Sequence, residues 1–245
     1  MRIVIYTAIF GEYDELPSVD ECSDFTYICY TDNGDINPRG WKLIVVTPIE
    51  GLSSAANNRY YKWNPHICFP EYEWSIYIDA NKVFVDLTRE KLSSWLGDSE
   101  MLLVKHENRA TLDSELKAVF VNKNFTLKQC RKYRKDFFYE LSQSSIEIYN
   151  CSVLIRRHRS KRIESLMDDH WRIFINSPIQ RDQLTFPIAL FRSSACDDNV
   201  SKIPSLINAQ EVLVRSHLTV TYETTTRKII RHLLMKIRSI IINFV

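Results

Sequence analysis

Asp79 and Asn81 close the apolar run Ser75-Ile76-Tyr77-Ile78 with two oxygen-bearing side chains spaced i, i+2. On a strand such residues point to the same side, so both would face one ligand where the strand meets its loop. Oxygen donors suit a hard divalent cation, Mn2+ or Mg2+, that takes its other ligands from water and phosphate. Asp and Asn are also common turn residues, and on spacing alone a turn is the better reading. Upstream, Arg59 and Lys62 stand three apart, so in a helix they share a face. There they would grip a diphosphate, Arg as a planar fork and Lys as a point charge. The usual fate of such a pair is a solvated helix face.

Two further groups carry chemistry-bearing residues. Arg181-Asp182-Gln183 opens an expected helix after Pro178, where the helix dipole favours a carboxylate as a simple cap. His106, Arg109 and Glu115 follow an expected strand and begin a helix. They are candidates for sugar hydroxyls or an acidic acceptor, with an Arg109–Glu115 salt bridge as the plain alternative. His217 is a candidate late metal ligand; a lone histidine after a strand is more often structural.

The elements that must position these residues alternate. Strands are expected over residues 2–9, 25–31, 41–47, 74–79 and 101–105, with a long one from 146 to 155. Helices are expected over Ser54–Asn64, capped by Ser53 or Ser54 and stopped by Pro65, and over 91–95, 112–121, 126–143, 160–175 and 181–192. Strand alternating with helix predicts an α/β fold with a mainly parallel sheet and ligands at the strand ends. One catalytic domain over residues 1–222 and a tail over 223–245 is the economical division.

Composition narrows the classes. A formal charge of +2 over 245 residues gives no reason to expect a nucleic-acid partner. The six cysteines show no C-x-x-C pair and no zinc spacing, which fits reduced thiols in a cytoplasmic protein. The N-terminus runs straight into a strand without a signal-peptide pattern, and no apolar run is long enough to cross a bilayer.

Several motifs occur in order: Tyr6 to Asp14, Thr31-Asp32, Gly40-Trp41, the N-R-x-x-K-x-x-P-H run from Asn58 to His66, Ser75 to Asn81, His106 with Arg109 and Glu115, and Arg181 to Leu184. Over roughly residues 3–190 the chain resembles a glycosyltransferase-like domain family of bacterial surface-polysaccharide loci and plant mucilage-type Golgi proteins. The resemblance implies a GT-A-like nucleotide-binding fold and a nucleotide-sugar donor. It places Thr7 and Ala8 against the nucleotide, and Asp32 at the base or ribose, although both could be simple turn residues. Asp79 and Asn81 match the D-x-N that stands where related transferases carry D-x-D, and His217 the late metal-ligand position. An amide binds a cation less well than a carboxylate, so metal dependence is expected to be partial, with Arg59 and Lys62 supplying part of the charge. Asp182 and Gln183 resemble the acceptor-side motif of retaining enzymes, Asp182 orienting donor sugar or acceptor hydroxyl and Gln183 near the anomeric carbon, with Arg181 beside them on substrate.

Between Arg227 and Val245, Ile and Leu recur at helical spacing among five Lys and Arg. Such a basic amphipathic helix suits an anionic membrane surface on the cytoplasmic face, or else packs its stripe on the catalytic domain or another subunit. The expected function is transfer of a sugar to a glycan or glycolipid acceptor in surface-polysaccharide synthesis, with retention. A metal-dependent hydrolase and a non-catalytic, membrane-attached glycan-binding protein are the rivals.

Overall fold

A strand buried on both faces needs no polar alternation, and Ile3–Ile9 has none: all seven residues are buried. It forms β1 inside a seven-stranded sheet of order β3-β2-β1-β4-β7-β6-β8 in this computed structural model. The structure describes residues 2–11, 14–19, 24–122, 125–193, 200–203, 211–214 and 225–241. The other sheet strands are β2 (Thr26–Thr31), β3 (Lys42–Val45), β4 (Trp74–Ile78), β6 (Met101–Val104), β7 (Val153–Arg156) and β8 (Val200–Ile203). A second, two-stranded sheet pairs β5 (Lys82–Phe84) antiparallel with β9 (Val212–Val214). The helices are α1 (Ser54–Trp63), α2 (Pro65–Cys68), α3 (Arg89–Leu96), α4 (Leu112–Asn122), α5 (Leu127–Asp136), α6 (Phe138–Leu141), α7 (Lys161–Asn176), α8 (Asp182–Arg192) and α9 (Thr225–Ile241).

The main sheet is mostly parallel. β1 pairs parallel with β2 and β4, β2 with β3, and β6 with β8, while β7 runs antiparallel to both β4 and β6. Alternation along β1 divides the core. Val4, Tyr6 and Ala8 face a cluster with Trp63, Leu166 and Phe186 from α1, α7 and α8; Ile3, Ile5 and Ile9 face one with Trp41, Leu92 and Leu96. A third cluster joins α4, α5 and α8. The loop ahead of β3 depends on Gly40, whose φ is +91° and where a Cβ would meet the Val19 carbonyl oxygen at 2.6 Å.

Three expectations change. The helix expected over 126–143 breaks at Phe137, which leaves helical geometry at φ −123° and ψ 35° and separates α5 from α6. The long strand expected from 146 to 155 shrinks to β7, because a turn at Cys151–Ser152 interrupts it; Tyr149 makes only an isolated bridge with Lys105. Pro65 ends α1 but also starts α2, since a missing N–H costs nothing in a first turn. His217 lies outside the described residues.

Candidate active site

Helix α1 is fixed before it reaches the site. Ser53 caps it, its Oγ accepting the Ala56 N–H at 3.2 Å, and fully buried Asn57 staples the preceding loop through the Ile49 N–H at 2.8 Å. Its spacing then presents Arg59 and Lys62 on one face. Arg156, buried in β7, donates to the Lys62 carbonyl at 2.9 Å and to the Tyr6 hydroxyl, while Tyr6 donates to the same carbonyl at 2.8 Å. The backbone at Lys62 is therefore held from beneath by two side chains of the sheet.

Beyond that anchor the Lys62 side chain enters the core. Nζ donates to Asp182 Oδ2 at 2.6 Å, with the two side chains 2% and 3% exposed. It lies 4.8 Å from the Tyr77 ring centroid, a cation–π contact, and 3.9 Å from Asp79 Oδ1. Arg59 Nε approaches the same Asp182 oxygen at 3.4 Å. Burial alone would raise the Asp182 carboxyl, but Lys62, Arg59 and Arg181 hold it far below the usual carboxylate range. Its position at the first turn of α8 adds the helix dipole to that field.

Above this network lies a cleft of about 480 Å³ at the carboxyl ends of β1 and β4. Ala8, Ile9 and Phe10 form one wall, Ser54, Ala55, Asn58 and Arg59 of α1 another, and Asp14, Tyr77, Asp79, Ala80 and Arg181 complete it. Asn58 joins two walls, donating to the Ala8 carbonyl and accepting from Arg59 Nη1 at 2.6 Å. The Tyr77 hydroxyl donates to Asp79 Oδ1 at 3.0 Å. Two guanidinium groups and two carboxylates thus face one hollow of a size suited to a small ligand.

The candidate residues of the sequence fall into three groups. Ala8, Arg59, Asp79 and Arg181 line the cleft. Lys62, Asp182 and Gln183 lie buried against it, and Gln183 accepts from Arg181. The rest are not on its walls. Thr7 is fully buried in β1, and Asp32 accepts the Gly11 N–H at 3.0 Å, bracing the turn after that strand. Asn81 does not share a strand face with Asp79: β4 has ended, the Asp79 backbone carbonyl accepts the Lys82 N–H at 2.9 Å across a turn, and Asn81 is buried. Glu115 is buried between Arg109 at 3.1 Å and Arg181 at 3.3 Å. Arg109 in turn lies 2.9 Å from His106, whose pKa is lowered by burial and by Arg109 and Arg181. These three brace Arg181 from behind.

Asn58, Tyr77 and Asp14 were not singled out from the sequence. Asn58 stood in the N-R-x-x-K run and Asp14 in the motif after β1, so the signal for both was adjacency to residues already marked. Asp79 and Asp14 are carboxylates on one cleft, and both act on Lys82. They are hard oxygen donors, which fits Mg2+ or Mn2+ drawing its remaining ligands from a diphosphate and water. Among the described residues no three His, Cys, Asp or Glu side chains group as a metal site.

The sequence model of the TOD1/MUCI70 glycosyltransferase-like domain matches residues 1–220. The chain belongs to this family. The family is described as a glycosyltransferase-like domain. No curated protein matches this chain. Among solved structures it is similar to the apo WbbM bifunctional glycosyltransferase, at 11% identity and a TM-score of 0.46, over 83% of this chain and 38% of that one. It is also similar to galactosyltransferase LgtC in complex with donor and acceptor sugar analogues, at 13% identity and a TM-score of 0.44, over 82% of this chain and 73% of that one. A third is glycosyltransferase GlyE of Streptococcus pneumoniae TIGR4, at 9% identity and a TM-score of 0.47, over 99% of this chain and 62% of that one. The chain thus spans little more than a third of the length of WbbM.

Proposed function

We propose that this chain transfers a sugar from a nucleotide-sugar donor to a hydroxyl of a glycan or glycolipid acceptor, with retention, as a step of surface-polysaccharide synthesis. One observation carries the reading: residues 59, 62, 79 and 182, remote in the chain, meet in a single charge network at the carboxyl ends of the parallel strands. Arg59 and Arg181 face the cleft and bind the diphosphate, each as a planar fork. Asp182 lies below and acts by holding Lys62 and Arg59 in place. Asp79 and Asp14 would hold a divalent cation, which when bound neutralises charge gathering on the departing phosphate.

The bond from the anomeric carbon to the diphosphate breaks, the acceptor oxygen forms the new one, and the leaving phosphate carries away the pair of electrons. Retention places the acceptor on the face the phosphate leaves, so a phosphate oxygen is the near base for the hydroxyl proton. When the diphosphate engages Arg181, the Gln183 amide loses that partner and turns its oxygen to the positive charge developing on the sugar.

The test is calorimetry with a panel of nucleoside diphosphates, with and without Mn2+ or Mg2+, followed by incubation with the matching sugar nucleotides and product detection. Selective uptake strengthened by the cation, and product that keeps the donor's anomeric configuration, are the expected results. Uptake of none of them overturns the reading. Hydrolysis that ignores every acceptor would favour a hydrolase.

A further inference from the structure

An amphipathic helix at the end of a domain ordinarily turns its apolar stripe inward. Helix α9 does the reverse over its described side chains. Leu233, Leu234, Ile237 and Ile240 are 54%, 53%, 52% and 61% exposed. The half-buried side chains are Met235, Arg238 and Ile241, and Arg238 makes the polar contact with the body: its Nη1 donates to the Phe120 carbonyl of α4 at 3.0 Å and its guanidinium lies 5.3 Å from the Phe120 ring centroid. At 100° per residue the four exposed apolar positions fall within one third of the helix circumference, with Arg238 beyond one edge and exposed Lys236 beyond the other. Over residues 233–241 the helix is thus attached through Arg238 with Met235 and Ile241 beside it, and the stripe of Leu233, Leu234, Ile237 and Ile240 is offered outward.

We infer that α9 is a membrane-docking helix that lies in the interface of an anionic lipid surface with Leu233, Leu234, Ile237 and Ile240 inserted. Charge selects this occupant. Thr225–Ile241 contains five Lys and Arg and no Asp or Glu. A second copy docking by the same stripe would bring two such helices together, like charge against like charge, as a two-fold interface requires. Anionic headgroups instead pair with the cations while the acyl boundary takes the stripe. Helix α5, also packed on α4, exposes Arg131 and Lys135, while its Lys132 is paired with Asp136 at 2.7 Å. Seventeen residues with this charge lie on a membrane, and no described helix is long and apolar enough to cross one. This inference does not depend on sugar transfer.

The experiment is sedimentation of the full chain with phosphatidylcholine vesicles, with and without phosphatidylglycerol. Binding to the mixed vesicles, about tenfold or more above pure phosphatidylcholine, is expected. Ile237→Glu, at an exposed position, should keep the melting temperature and lose the binding. Lys236→Gln, which leaves the stripe intact, should weaken it about fivefold, as should added salt in graded fashion. A folded full chain that stays off the mixed vesicles overturns the inference, as does Ile237→Glu or Lys236→Gln binding like the parent. A dimer in solution that Ile237→Glu dissociates, with no vesicle binding, would assign the stripe to a second copy instead.

Discussion

The sheet has a charge-lined hollow at each end, and the two differ in how their charges are held. At the amino ends of the parallel strands, a cavity of about 640 Å³ is lined by Arg2, Glu71, Glu73, Glu100, Arg157, Arg159 and Ser160. Its Glu73–Arg157 pair, 3.2 Å apart, has side chains 39% and 48% exposed. The carboxyl-end cleft is smaller, at about 480 Å³, yet rests on a Lys62–Asp182 pair almost wholly out of water. Desolvating two charges costs several kcal/mol per ion, whereas exposed pairs form cheaply and contribute little. Size therefore ranks the two ends wrongly. On the function proposed above, the charges committed to the core mark the end that takes the ligand.

The strongest way to break this contrast is Asp182→Ala, which leaves Lys62 buried without its nearest partner. We expect a loss of about 3–5 kcal/mol in denaturant unfolding, together with loss of transfer. A midpoint equal to the parent's would erase the distinction between the ends. Asp79→Asn, in the cleft, should cut transfer about 100-fold while the unfolding midpoint stays put. A fall in both would make Asp79 a structural residue.

Protonation affects both ends alike. Burial lowers His170, which backs α8 near Thr185, to about 3, and lowers His158, at the amino end, to about 4. Both folded values lie below the ordinary histidine value near 6.5, so stability is complete above that pH and falls as pH drops through the window below it. At pH 5 each histidine should have removed about 2 kcal/mol, read from unfolding curves at pH 7 and pH 5. His170→Gln should flatten that slope by about half.

Smaller effects sharpen the comparison. Arg181→Ala should weaken nucleoside diphosphate binding about tenfold by calorimetry, since a charge-assisted hydrogen bond is lost. Arg159→Ala at the other end should leave that affinity unchanged. Arg157→Ala should change stability by less than about 1 kcal/mol, and a larger loss would mean its ion pair with Glu73 is not the exposed type.

Much of this was legible along the chain. The uninterrupted apolar run of β1, the Ser53 cap and the Arg59/Lys62 spacing are local patterns, and local patterns set strands, helix starts and shared helix faces. The short pieces were not legible. β5 and β9 are three residues each and exist by pairing across more than a hundred positions, which no local window contains. The break at Phe137 was hidden because residues on both sides read as one helix.

At the site the division is the same. Sequence by itself determined which residue types are present, their order, and that Arg59 and Lys62 project together. Only the tertiary structure decided that Lys62 and Asp182 meet 120 positions apart and sink below the cleft, that Asn81 lies buried beyond the end of β4, and that Leu233, Leu234, Ile237 and Ile240 of α9 face outward. The reason is physical: periodicity fixes the direction of a side chain relative to its own element, while burial depends on which other elements pack against that direction.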